Sequence, residues 1–236
     1  MSQTKQWKRS AIEGLVVVAS ILLAFGIDAA WDARQERAAV EVHLEALSLE
    51  VGALRVQAEG GIARRTERME VMRTLLDQTG RGAQSLPNDS INSLVGRLWG
   101  AWDPLPPLAA LDNLHASGTF PSIGSDELRL GLARLEGVIE QAALHDGRVL
   151  RAWEEGLRPY LVANSDARPQ VARRSLGLTD YESRFSRVPD ELLRDVAFQN
   201  HLIVRMNRTV SALGAANTLV DQLAAVSDLI EKELVR

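Results

Sequence analysis

Residues 202–234, LIVRMNRTVSALGAANTLVDQLAAVSDLIEKEL, decide the fold class. Apolar or small side chains recur at Leu202, Met206, Thr209, Leu213, Ala216, Val220, Leu223, Ser227, Ile230 and Leu234, in alternating steps of four and three. A stripe of this kind over more than four heptads marks a helix packed along its length against other helices. Nowhere does the sequence show the period-two alternation of a half-buried strand. The expected fold is all-α.

Working outward, the other elements follow from the same period. Residues 126–162 place Leu128, Leu132, Leu135, Ile139, Ala142, Val149, Trp153 and Leu157 on one side, with Ser125 as N-cap and Pro159 as a kink or early stop. From Asp28 to about Gln78 there is no proline, and Val40, Leu44, Leu47, Val51, Leu54, Ala58, Ile62, Met69, Met72 and Leu76 form a long stripe that Arg65 interrupts. Gly60 and Gly61 offer a place for a bend. Two shorter helices are expected between these, about 89–102 (Ile91, Leu94, Val95, Leu98, Trp99, Trp102 inward) and 108–116 (Leu108, Leu111, Leu114). Residues 164–188 lack periodicity and read as a long arginine-rich loop. The whole is an N-terminal transmembrane helix running into an elongated antiparallel bundle of three long and two short helices. Alternating directions bring Arg236 back towards the membrane and leave the arginine-rich loop far from it.

The membrane helix is read from residues 12–31, IEGLVVVASILLAFGIDAAW. The uncharged run from Gly14 to Ile27 is short for a hydrocarbon core of ~30 Å, which takes about 20 residues. Trp7 and Trp31, however, are 24 residues apart, or ~36 Å of helix. That spacing suits indoles at opposite membrane interfaces. Lys8 and Arg9 precede the span, so the N-terminus is expected on the cytoplasmic side and the bundle outside. A cleaved signal peptide with a small-x-small site at Ala24-Phe25-Gly26 is the rival reading. Against it stand Glu13 in the apolar region and helical pattern that continues through Asp28. The expected division is a cytoplasmic tail at 1–11, a transmembrane helix at 12–31 and a periplasmic helical domain at 32–236.

Composition narrows the function. The net charge is −4, and without residues 1–31 the chain keeps 24 of its 27 basic and 29 of its 31 acidic residues. Nucleic acid, which requires a concentrated basic face, is not an expected partner. The chain has no cysteine, which removes disulfides, thiolate metal sites and cysteine nucleophiles. His43, His115, His145 and His201 are scattered over separate elements without paired ligand spacing, and no phosphate-binding or nucleophile motif is present. No catalytic, cofactor or metal residue is assigned.

Glu13, then a Val/Ile/Leu/Ala run, then Ile27-Asp28, Trp31 and Arg34-Gln35-Glu36-Arg37 resemble a family of uncharacterised bacterial single-pass membrane proteins. The segment LDNLHASGTF…SDELR at 111–129 is similar to a second stretch of that family. Ala29, Ala30 and Ala33 stand where polar residues are commoner there, which weakens a polar exit site. The resemblance implies a bacterial inner-membrane protein with a periplasmic helical domain and implies no activity.

Candidate interaction residues are of two kinds. Glu13 and Asp28 are ionisable groups inside a span, and such groups find a partner or water. Lys8 or Arg9 one turn away could pair with Glu13, or a second membrane helix could, with Ser20 and Ala24 permitting close approach. Outside the membrane, Trp99 and Trp102 share a helix face that suits core packing or docking, and Arg168, Arg173 and Arg174 could meet an anionic partner. The expected function is non-enzymatic: a membrane-anchored interaction or scaffold protein, self-assembling or an accessory subunit of a larger inner-membrane complex. A periplasmic ligand-sensing domain and a pore-forming homo-oligomer are the alternatives.

Overall fold

The computed structural model describes residues 3–80, 86–100, 106–170 and 188–235, with side chains from Ser20 onward. Among the described residues every regular element is helical. The order is α1 (Gln3–Gln78), α2 (Asn88–Gly96), α3 (Ala109–Ala116), a 3₁₀ turn at Phe120–Ser122, α4 (Asp126–Arg151), a π-helical turn at Ala152–Leu157, α5 (Arg158–Asn164), α6 (Asp190–Leu193) and α7 (Val196–Leu234). Three long helices dominate, as expected, but short elements are more numerous than two. Residues 167–170, read from sequence as loop, are helical.

Helix ends obey local chemistry. Ser125 caps α4 by accepting from the Leu128 N–H at 3.2 Å, with Asp126 and Glu127 in the first turn. Asp195 caps α7 by accepting from the Ala197 N–H at 2.8 Å. This carboxyl, also hydrogen-bonded by the Tyr160 hydroxyl, is held below the usual aspartate range, chiefly by that phenol. The expected 126–162 helix does not stop at Pro159. A missing N–H there would leave a carbonyl unmatched in a regular α-helix, and the preceding π turn absorbs the irregularity so that α5 continues.

α7 runs antiparallel to both α1 and α4 and is the element they share. Gln222 donates to the Gly131 carbonyl at 3.1 Å, and Glu233 and Leu234 lie beside Arg37, Val40 and Gly124. The last helix therefore ends where the bundle begins, the topology expected from alternation. Its stripe is rotated relative to the sequence reading. Leu202, Thr209, Ala216, Leu223 and Ile230 are buried as expected, but the alternate positions are Arg205, Ala212, Leu219 and Val226 rather than Met206, Leu213, Val220 and Ser227. With helices on two sides, the buried face is wider than a two-stranded seam, and Met206, Leu213, Val220 and Ser227, each next after an alternate position, are half-buried.

Among the described residues two apolar cores result. One joins Val40–Ala58 of α1 to α3, the first half of α4 and the end of α7. The other joins Val71–Leu75, α2, Trp153–Leu161 and the start of α7. At the second core, Gly96 allows close approach: a Cβ there would sit 2.3 Å from the Gln170 carbonyl oxygen. Gly96→Ala is expected to cost about 1–3 kcal/mol through overpacking, read as a lowered unfolding midpoint; an unchanged midpoint would show that residue 170 is not held against α2.

No helix among the described residues is long and apolar enough to cross a membrane. The described side chains begin at Ser20 and so carry only the second part of the 12–31 run. Trp7, Lys8, Arg9 and Glu13 lie outside them.

Candidate functional site

Residues 20–38 of α1 are exposed at every position, and near their end the Ser122 hydroxyl donates to Glu36. At about 1.5 Å per residue this is ~27 Å of exposed helix. It is not polar. Ile21, Leu22, Leu23, Phe25 and Ile27 are 50–67% exposed and Trp31 is 68% exposed. Ser20, Ala24 and Asp28 lie on the same exposed stretch.

Where the bundle begins, α1 acquires two faces. Val40, Leu44, Leu47, Val51, Leu54 and Ala58 are buried in the first core. A second stripe runs along the opposite face: Ala39, Val42, Ala46, Leu49, Ala53, Val56, Gly60 and Ala63. The steps alternate three and four, no position is charged, and Leu49 lies about 200° round the helix from Leu47. Ala39 and Gly60 are half-buried and the other six are exposed, with Val42 at 65%, Leu49 at 78% and Val56 at 66%. A helix with an apolar stripe on each side has one side for its own fold and one left over. The sequence reading found only the first. The signal for the second was present as an independent heptad beginning at Ala39, hidden because its alternate members are alanine or glycine.

Between the two cores lies a polar layer that periodicity did not identify. Arg65 takes the next place on the inner stripe of α1, and its guanidinium reaches both carboxylate oxygens of Asp146 at 2.6 Å. Burial outweighs the attraction of Arg65, so the Asp146 carboxyl is shifted above its ordinary range. Arg205 is 1% exposed, donating to the Leu98 carbonyl at 2.8 Å and the Gly100 carbonyl at 3.2 Å, just beyond the C-terminus of α2. Its guanidinium carbon lies 4.5 Å from the centre of the Trp153 ring. Burial, with help from Arg68, pulls its pKa down to about 9, still above neutrality, so it remains charged. Sequence alone presents Arg65 as an interruption of an apolar stripe and leaves Arg205 off the stripe of the last helix; only their partners show that they belong inside.

The remaining candidates divide. Trp99 is half-buried: it meets Trp153 edge-on at 5.7 Å and donates from Nε1 to Gln170 Oε1 at 3.0 Å. Trp102, Arg173 and Arg174 lie outside the described residues. Arg168 is exposed. His115 stacks on Phe120 at 4.3 Å and pairs with Glu136 at 3.0 Å on the surface. Among the described residues no cluster of three or more His, Asp or Glu side chains is placed to hold a metal ion.

No family model, curated protein or solved structure matches this chain.

Proposed function

We propose that this protein is a membrane-anchored, non-enzymatic helical interaction module that self-associates in parallel through the outer face of α1. The observation that carries the reading is the uncovered stripe from Ala39 to Ala63. Anchoring rests on the sequence. Residues 12–29 contain sixteen uncharged side chains with Glu13 and Asp28 near the two ends, preceded by Lys8 and Arg9. On this reading residues 1–11 face the cytoplasm of a bacterial inner membrane and the bundle lies in the periplasm.

The occupant of the stripe is a second copy. Copies anchored by the same N-terminal helix share one orientation, which favours parallel pairing. Because the stripe faces away from α4 and α7, two bundles can pair through it without colliding. Small residues at alternate positions permit close approach, while Val42, Leu49 and Val56 supply apolar contact. In a parallel pair Glu59 falls opposite Arg64 of the second copy, an attractive contact made twice. Glu45 falls opposite Glu50, whose carboxylate already accepts the Ala110 N–H at 2.8 Å.

The test is native size after mild detergent extraction, combined with cross-linking. Because the chain lacks cysteine, Leu49→Cys introduces a single thiol that meets its own copy in a parallel, in-register pair. A covalent dimer is expected on oxidation. Leu49→Glu is expected to give monomers with unfolding unchanged within about 0.5 kcal/mol, since an exposed position contributes little to the fold. A monomeric native protein overturns self-association. Stoichiometric co-purification of an unrelated membrane subunit transfers the stripe to the accessory-subunit reading.

A further inference from the structure

At the distal end of the bundle α4, the π turn and α7 border an open groove of about 630 Å³. Arg148, Arg151 and Arg208 line it together with His201, Glu155 and Gly156. The three arginines are exposed, and none makes an ion pair or hydrogen bond among the described residues. That sets them apart from nearby arginines. Arg158 is matched to Glu154, Arg194 to Asp190 and Arg97 to Glu67. Three positive side chains against the single carboxylate of Glu155 leave two positive charges in excess within one concave surface. Crowding like charges in this way costs stability, which a bound anion would recover.

The floor of the groove is specialised as well. The π turn widens the helix at this point, and such turns are frequent where helices carry sites. Gly156 leaves room for His201, whose Nδ1 would lie 3.3 Å from a Cβ at that position. His201 is further backed by the Tyr160 ring at 5.2 Å, so its imidazole is supported at the groove wall.

We propose that this groove binds a phosphate or diphosphate group. A guanidinium presents a planar fork of donors that matches phosphate oxygens, and several arginines can share one such group. A single carboxylate brings one charge, whereas a phosphate monoester near neutrality brings close to two, matching the excess. The phosphate could belong to a soluble molecule or to a lipid headgroup. Distance favours the first, and this choice of source alone rests on the anchoring proposed above. From Arg208 to Ile230 is ~33 Å along α7, and residues 32–38 of α1 add about 10 Å before the membrane.

The experiment titrates inorganic pyrophosphate into the purified full-length protein while following thermal midpoint and heat of binding. A saturable rise in midpoint is expected, weakening as salt is raised. Arg151→Gln and Arg208→Gln are each expected to weaken binding about tenfold, and the double variant to abolish the shift. Without pyrophosphate, the variants should match or exceed the parent midpoint because repulsion is relieved. No saturable shift in the parent, or a shift that survives in the double variant, overturns the site. A double variant that is destabilised without pyrophosphate and binds normally at its lower midpoint shows a structural role instead. Soluble short-chain phosphatidate distinguishes the source: binding no tighter than pyrophosphate supports a soluble ligand, and much tighter binding overturns that choice in favour of a headgroup. Native size is unaffected by these substitutions, so failure here and failure of self-association are separable.

Discussion

Replacing Arg205 with alanine is expected to destabilise the bundle by about 3–5 kcal/mol. The substitution removes three things at once. It opens a cavity beside Trp153, it deprives the Leu98 and Gly100 carbonyls of their donor, and it takes the cation from the Trp153 face. Arg205 is among the largest fully buried side chains, and it lies over the same Trp153 ring that Trp99 meets edge-on. Arg205→Met restores much of the volume and none of the donors, so it should recover roughly half of the loss. Chemical denaturation followed by helical circular dichroism measures both. A cost below about 1 kcal/mol for the alanine variant would show that the carbonyls find water and that the guanidinium is dispensable.

The Arg65–Asp146 pair makes a second prediction of similar size and a different form. Asp146→Ala should cost about 3 kcal/mol, because Arg65 then keeps its charge in the bundle without its carboxylate. The value lies at the low end of the usual range because the Asp146 side chain retains 14% exposure. The double replacement Arg65→Met with Asp146→Leu is expected to be far milder than either disruption alone, since it also removes the desolvation that raises the Asp146 pKa. A double-mutant cycle gives the coupling directly. If the single and double variants lose the same stability, the pair is not the unit joining α1 to α4. The pair also has a consequence for register. The inner face of α1 and the buried side of α4 both pack on α7 with apolar stripes of helical period, and a slip of one turn would move Arg65 off Asp146 into an apolar layer. The expected signature is that the double replacement retains helix while losing sharpness in its unfolding transition.

Much of the architecture was legible without coordinates. The long helices, the Ser125 cap, the inward Leu108–Leu111–Leu114 set and the return of the last helix to the start of the bundle follow from period, caps and alternation. These are local properties, or consequences of short connections. The 167–170 helix was missed because it is too short to display a period. Candidate sites were less legible for a related reason. Trp99 has the chemistry of a docking residue, and its contacts with the Trp153 ring and the Gln170 amide become visible only in the fold. The groove arginines have the opposite history: along the sequence Arg148, Arg151 and Arg208 are ordinary helix-surface charges, and convergence appears only when α4 and α7 are set side by side.

Residues 202–234 mark the boundary between the two kinds of information. Sequence by itself determined that this segment is a single long helix with a buried stripe, because a heptad of apolar residues has no other way to bury one face. It also determined five of the stripe positions, Leu202, Thr209, Ala216, Leu223 and Ile230. Tertiary structure alone decided which neighbour fills the alternate places, choosing Arg205 over Met206 and Ala212 over Leu213. The physical reason is that hydrophobicity ranks side chains one at a time, whereas burial depends on what stands opposite. A helix flanked on two sides can take an arginine inward where carbonyls and an indole face await it, and can leave a methionine at the margin.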